Sequence, residues 1–331
     1  MVIPHEFTML PNGENFLLFD SGNNIQRILI FGTNQGLDLL QSSEHWYCDG
    51  TFKASPVLFD QLFIIQGQFR DTILPLLFVL MPNRSQASYN RVLDALRNLR
   101  PNLAPSSIMS DFEQASINAF HEAFPAARQR GCFFHFSQCV WKHIQQHPSI
   151  AEEYRANPDF ALNMKMLAAL AFLPPATVAN GYDTLVESAF FEENEIILRP
   201  FLNYFESTWI GSVDRRNRRR PPIFDVALWN CHQSVLEGLG KTNNACEGFN
   251  RAINSMLGAA HPTIFKLIDC LKKQQELTRS KIEKIVGGGA DAPGREKYKQ
   301  SAARLMKVVS EYDEMSLDYL RGLAHNIEYN V

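Results

Sequence analysis

The 331-residue chain is poor in cysteine, with six spread over positions 48, 132, 139, 231, 246 and 270. So thin a spread does not make the dense disulfide framework of a small secreted domain, and it points to a reducing compartment. Long apolar runs are also missing. The longest, Ile73 to Met81, has nine residues and contains Pro75, less than half of what a bilayer-spanning helix needs. The N-terminus, MVIPHEFTML, has no basic stretch followed by an apolar one, so nothing in it reads as a secretion signal. Charge of one sign is not in excess either. Lys and Arg number 32 against 35 Asp and Glu, a net charge of -3, which argues against a generically basic nucleic-acid binder. No internal repeat is found, and 45% hydrophobic with 20% charged residues excludes a mainly disordered, collagen-like or coiled-coil chain.

What is present is enough for about two domains, or for one domain with a large insertion. Charge is divided along the chain: residues 1–210 carry 13 Lys/Arg against 21 Asp/Glu, and residues 211–331 carry 19 against 14. A basic second half fits a surface that faces a polyanion. Short apolar runs at 27–32, 62–67 and 76–81 end in Gly, Pro or Asn and read as buried strands, and the aromatic segment 46–52 predicts another through Asp49. Residues 88–99 have the three-four spacing of an amphipathic helix. They are followed by a predicted strand at 107–110, a helix at 113–124 and a strand at 130–136. Beyond residue 137 the strand signal fades. Helical segments are expected at 138–147, 151–156, 160–173 and 182–209, then an arginine-rich loop at 211–222, a helix at 242–257 with Ala245, Phe249, Ile253 and Met256 on one face, a longer helix to Val286, a glycine hinge at 287–289 and a last helix over 295–325.

Three carboxylates stand out by position: Asp49 within an aromatic strand, Asp111 at the end of a short strand, and Glu247 in the first turn of a helix. Each has a structural explanation when taken alone. Asp49-Gly50 is a common hairpin-turn pair. Ser110-x-x-Glu113 and Asn244-x-x-Glu247 match the capping pattern in which an acid bonds back to the residue three before it. Cys132-x-x-His135, continued by Cys139 and His143, suggests zinc, but residues eight apart on one helix are about 12 Å apart along its axis, too far to share an ion. The five arginines at 215, 216, 218, 219 and 220 form either a solvated surface, a nuclear-import signal or a phosphate-contacting loop. Trp209 and Trp229 flank that loop, as core residues or as base-stacking surfaces.

Together, DGTFK (49–53), SDFEQA (110–115), GCFFH (131–135), FLNYFESTWIG (201–211) and TNNACEGFNRAINSML (242–257) resemble, in order and spacing, the catalytic domain of Mutator-like element (MULE) transposases. The resemblance covers roughly residues 10–260. It implies an α/β fold of ribonuclease-H-like type, a mixed sheet with an inserted all-helical subdomain and a C-terminal helical extension. The expected division is a first core segment at 1–139, a helical insertion at 140–241, a helix completing the core at 242–260 and C-terminal helices at 261–331. The resemblance also implies a DDE triad of Asp49, Asp111 and Glu247 that binds two Mg²⁺ or Mn²⁺ ions, with Cys132 and His135 supporting the site. It implies DNA as partner and substrate, DNA cleavage and strand transfer as the reaction, the nucleus as the place of work, and allows a homo-oligomer. Arg215, Arg216, Arg218, Arg219 and Arg220 are the candidate DNA contacts.

The chemistry explains the acids. Phosphodiester cleavage at neutral pH needs an activated oxygen nucleophile and charge relief on the leaving oxygen, which two metal ions supply together. Magnesium takes oxygen ligands, so three carboxylates with substrate phosphate oxygens suffice. No paired cysteine and histidine cluster precedes Asp49, so the zinc-binding recognition module that often precedes this catalytic domain in the resembled family is not expected from these residues. That leaves room for a transposase-derived, catalytically silent DNA-binding or interaction protein, and for an unrelated hydrolase that uses two of the acids on a sugar or phosphate ester.

Overall fold

The structure is a computed structural model that describes residues 2–242, 244–288 and 296–327. Its strands in chain order are β1 (Leu17–Asp20), β2 (Leu29–Gly32), β3 (His45–Thr51), β4 (Gln61–Phe69), β5 (Thr72–Met81), β6 (Ser107–Ser110) and β7 (Arg128–Gly131). The helices of eight residues or more are α1 (Asn34–Ser42), α2 (Gln86–Leu99), α3 (Gln114–Ala123), α4 (Phe133–Gln145), α5 (Pro148–Ala156), α6 (Pro158–Ala169), α7 (Val178–Val186), α8 (Glu195–Phe205), α9 (Asn244–Leu257), α10 (Ile264–Val286), α11 (Glu296–Ser310) and α12 (Leu317–Ala324). The chain divides into two compact units. One holds the residues up to Gln129 and those from 244 to 288; the other holds Arg130–Thr242 and 296–327.

The first unit is built on a seven-stranded mixed sheet in the order β1-β2-β5-β4-β3-β6-β7. The pairs β2·β5, β5·β4 and β4·β3 are antiparallel and β3·β6 is parallel. This is the ribonuclease-H-like α/β architecture that the motifs implied, with a β1·β2 hairpin added at the edge. Strand side chains alternate between faces, and here both faces are apolar. Leu29, Phe31, Leu62, Ile64, Phe78 and Leu80 pack with Phe249, Ile253 and Leu257 of α9 and Leu267 and Ile268 of α10. Ile28, Ile30, Trp46, Cys48, Phe63, Ile65, Leu77 and Val79 pack on the other face with Leu37 and Leu40 of α1, Val92, Leu93 and Leu96 of α2 and Phe120 of α3. Strands buried on both faces read as continuous apolar runs, and that is why β2, β4 and β5 were legible.

Caps set where several helices begin. The Thr33 hydroxyl accepts from the Gly36 N–H at 3.0 Å, and the Ser85 hydroxyl accepts from the Ser88 N–H at 3.2 Å. Thr263 does the same for the Lys266 N–H at the start of α10.

Several sequence expectations need correction. The expected strand 130–136 ends at Gly131, and Phe133 already belongs to α4. Aromatic residues favour strands, but Phe133, Phe136, Val140 and Ile144 recur at helical spacing, and burying that stripe decides the matter. Phe136 stacks on Trp229 with centroids 5.0 Å apart and meets Trp209 edge-on at 4.8 Å. Both tryptophans are core residues of the second unit, with Trp229 Nε1 donating to the Trp209 carbonyl at 3.1 Å. The expected helix 182–209 is instead α7, a short helix Ala189–Glu193, α8 with Pro200 inside it, and a π-helical turn Glu206–Ile210. The expected last helix divides into α11 and α12. Strand β1 and helix α1 were not anticipated. Gly289 of the expected hinge lies outside the described residues.

Phe78 is fully buried and stacks on Phe249, centroids 5.6 Å apart. Phe78→Ala should therefore destabilise the first unit by about 3–5 kcal/mol, read as a lower urea midpoint. An unchanged midpoint would show that α9 does not lean on the sheet at this point.

Candidate active site

Asp49 lies in β3 opposite Ile64 of β4. It is mid-strand, so the hairpin-turn explanation of Asp49-Gly50 is wrong. The strand's alternation puts Trp46 and Cys48 on the α1–α3 face and so turns Asp49 to the α9 face, where the residue is 6% exposed. Its Oδ1 accepts from the Gly50 N–H at 3.0 Å, and its Oδ2 accepts from Nδ2 of Asn250 in α9 at 2.8 Å.

Asp111 directly follows β6, whose parallel pairing with β3 carries it toward Asp49. Glu247 is in the first turns of α9. The helix begins at Asn244, so Asn244 is a helical residue rather than the cap. Its Oε1 is buried and accepts no hydrogen bond from the described residues.

The Asp49 carboxyl feels both other acids. Burial pushes the Asp49 carboxyl up to about 7; the Asp111 charge adds to this, the Gly50 N–H opposes it, the Glu247 charge adds again and the Asn250 amide opposes. The Glu247 carboxyl is also raised, chiefly by burial, with Arg251 pulling the other way. The neighbouring Cys48 thiol is pushed well above its ordinary range by burial and then by Asp49 and Asp111. A dry carboxylate, Asp49, that feels two other acids, with a buried undonated oxygen on one of them, Glu247, is a setting that favours a bound cation. Yet no group of three or more His, Cys, Asp or Glu side chains among the described residues is drawn together closely enough to form a finished metal cage.

The capping box expected at Ser110 is not formed. Glu113 is itself the cap residue of α3, without a side-chain cap bond, and its Oε2 accepts from the Tyr89 hydroxyl at 3.2 Å. Burial raises its carboxyl, and the Asp111 charge raises it further. Tyr89 in turn accepts from Gln61 Nε2 at 2.7 Å, so a Gln61-Tyr89-Glu113 chain, buried at its Gln61 end, runs beside Asp111. Sequence reasoning missed this chain and missed Asn250. Only Asn250 had a signal: it lies three residues after Glu247, on the same side of the helix.

The remaining expected site residues are in the second unit. Cys132 is the fully buried N-cap position of α4, and His135, Cys139 and His143 follow at one-turn intervals along that helix. His143 stacks on Tyr204 with centroids 3.6 Å apart.

The arginine segment forms a tight hairpin joined by a Val213–Arg219 bridge, with Asn217 at φ 56°. Asp214 organises it by accepting from the backbone N–H groups of Arg216 and Arg218. Arg219 is turned inward. It donates to both oxygens of Asp183 at 2.6 and 2.7 Å and to the Gly211 carbonyl at 2.6 Å, with Glu206 at 3.6 Å. Arg218 pairs with Asp214 at 3.3 Å, while Arg215, Arg216 and Arg220 are exposed.

The raised Asp49 carboxyl has a consequence for stability. Between about pH 4 and pH 7 the folded chain keeps a proton that the unfolded chain releases, so this group's contribution falls as pH rises through that window. Asp49→Asn should therefore match the wild type near pH 4 and melt at least about 2 °C higher at pH 8. Equal melting temperatures at pH 8 would mean that Asp49 ionises there without cost.

Among curated proteins none matches the chain. Among solved structures it is similar to the Drosophila P element transposase strand transfer complex, at 12% identity over 75% of this chain and 81% of that one, with a TM-score of 0.31. A family model matches residues 45–139, the segment from β3 into α4 that carries Asp49, Asp111, Cys132 and His135. In that segment the chain is similar to the MULE transposase domain, the same family that its motifs resemble.

Proposed function

We propose that this chain cleaves and rejoins DNA phosphodiester bonds as a transposase, with Asp49, Asp111 and Glu247 holding two Mg²⁺ or Mn²⁺ ions. The observation that carries the reading is geometric: Asn250, one turn after Glu247 on α9, reaches Asp49 on β3, and β6, the parallel partner of β3, ends just before Asp111, so acids from distant points of the sequence come to one region of the first unit. The buried, undonated Oε1 of Glu247 fits it as well. The acids do not form a finished cage, and magnesium does not require one: it keeps several waters and binds through one or two carboxylates plus substrate phosphates. When bound, such ions activate a water or 3′-hydroxyl and offset charge on the leaving oxygen.

The chain's own residues do the rest. The sheet fixes Asp49 and Asp111 through the β3·β6 pairing, and α9, seated on the sheet through Phe249 and Ile253, brings Glu247 to the same face. The buried setting keeps competing water away from Asp49. DNA is the partner in this reading, and the nucleus the place of work.

The absence of a tight three-acid group among the described residues favours a second reading, a silent scaffold that binds DNA without cutting it. Nicking of a supercoiled plasmid separates the two. The wild type should nick with Mn²⁺ or Mg²⁺, and Asp111→Asn and Glu247→Gln should fall to background with unchanged far-ultraviolet circular dichroism. A folded wild type that binds DNA and never nicks it would leave only the scaffold.

The arginine hairpin, in this reading, contacts the DNA backbone through Arg215, Arg216 and Arg220, because Arg219 is committed to Asp183 and Arg218 to Asp214. Each neutralised phosphate contributes about 0.9 to the slope of log affinity against log salt, so replacing the three with alanine should flatten it by up to about 2.7, alike for all duplex sequences. An unchanged slope would remove the hairpin from the DNA surface. Loss confined to certain sequences would show base reading instead.

A further inference from the structure

We propose that Asn250 is the positioning residue of the acidic site, and that its side-chain amide holds Asp49 in the orientation that ion binding requires. The inference rests on the two-ion reading of the site and extends it to a residue that the triad does not include.

The backbone of Asp49 is fixed by β3, but its carboxylate is free to rotate unless something holds it. Two donors do. Gly50 N–H meets Oδ1 at 3.0 Å, and Asn250 Nδ2 meets Oδ2 at 2.8 Å. The first donor belongs to the same strand and cannot report where α9 is. The second belongs to α9, one turn after Glu247. A single hydrogen bond thus ties the first acid to the helix that carries the third, and it sets the spacing between them.

The other end of the amide supports a role beyond filling space. The NH₂ of Asn250 faces the Asp49 carboxyl, which leaves Oδ1 of Asn250 buried and without a donor among the described residues. An undonated buried oxygen is a liability that an apolar side chain of similar volume would avoid. The helix does not need the amide either. The Asn250 backbone carbonyl serves the next turn by accepting from Asn254 Nδ2 at 2.8 Å, whatever the side chain at 250. Hydrogen-bonding partners that orient metal ligands act through affinity, and their loss typically weakens metal binding about ten- to hundredfold.

The test uses the full chain with Mn²⁺ as probe, in isothermal titration calorimetry and plasmid nicking. Asn250→Ala and the volume-keeping Asn250→Leu should each lower Mn²⁺ affinity by about ten- to hundredfold. Nicking should be lost at low Mn²⁺ and recover at high Mn²⁺, with the far-ultraviolet circular dichroism unchanged. Asn254→Ala, which disturbs the same helix one turn on, should keep wild-type affinity. Wild-type affinity in both Asn250 variants would overturn the positioning role and leave the two-ion reading standing. So would an equal loss in Asn254→Ala, which would make the effect a general one of α9. A wild-type chain that neither binds Mn²⁺ nor nicks DNA would overturn both.

Discussion

A carboxylate buried in the middle of a β-sheet is the constraint around which the first unit is arranged. Asp49 sits on β3, between β4 and β6, where a helix layer covers each face. An isolated charge there would be costly, and the structure responds with a backbone N–H, an asparagine amide and a carboxyl held high enough to take up a proton near neutrality. The same dryness that makes the position expensive makes it useful, because a cation entering it would meet oxygen ligands with little competition from water.

The neighbouring elements are best understood through their relation to that strand. The parallel partner β6 ends at Ser110 and delivers Asp111. The antiparallel partner β4 supplies Gln61, which starts the hydrogen-bonded chain through Tyr89 to Glu113. Helix α9 rests on the sheet by an apolar stripe of Cys246, Phe249, Ile253 and Leu257. The expected stripe included Met256, which is instead 43% exposed. That small rotation matters, since it places Glu247 and Asn250 together at the border of the buried stripe.

The second unit follows a different logic. Its core is aromatic, with Phe136, Trp209 and Trp229 locked against one another, and its most basic segment is an ordered hairpin with one arginine spent internally. Arg219 joins Asp183 and Glu206 and cannot serve an external phosphate without releasing them. A run of five arginines therefore amounts to a smaller exposed charge than its composition suggests.

Local pattern was sufficient for much of this. Apolar runs marked β2, β4 and β5, because strands buried on both faces need no polar alternation, and three-four spacing marked α2 and the helix bearing Glu247. The ordered set of acid-bearing motifs pointed to Asp49, Asp111 and Glu247, and residues 45–139 are similar to the same family by an independent comparison. Where two local signals competed, as at 130–136, aromatic strand preference lost to a helical stripe that only the surrounding aromatic core could reward. The apparent capping box at Ser110 failed for a related reason: a carboxylate bonds to a donor that is near in space, which for Glu113 is Tyr89. The strand parity of Asp49, its bond to Asn250, the inward turn of Arg219 and the coupling among three distant acids were decided by tertiary structure alone, because burial and Coulomb energy depend on distances through space that no sequence window contains.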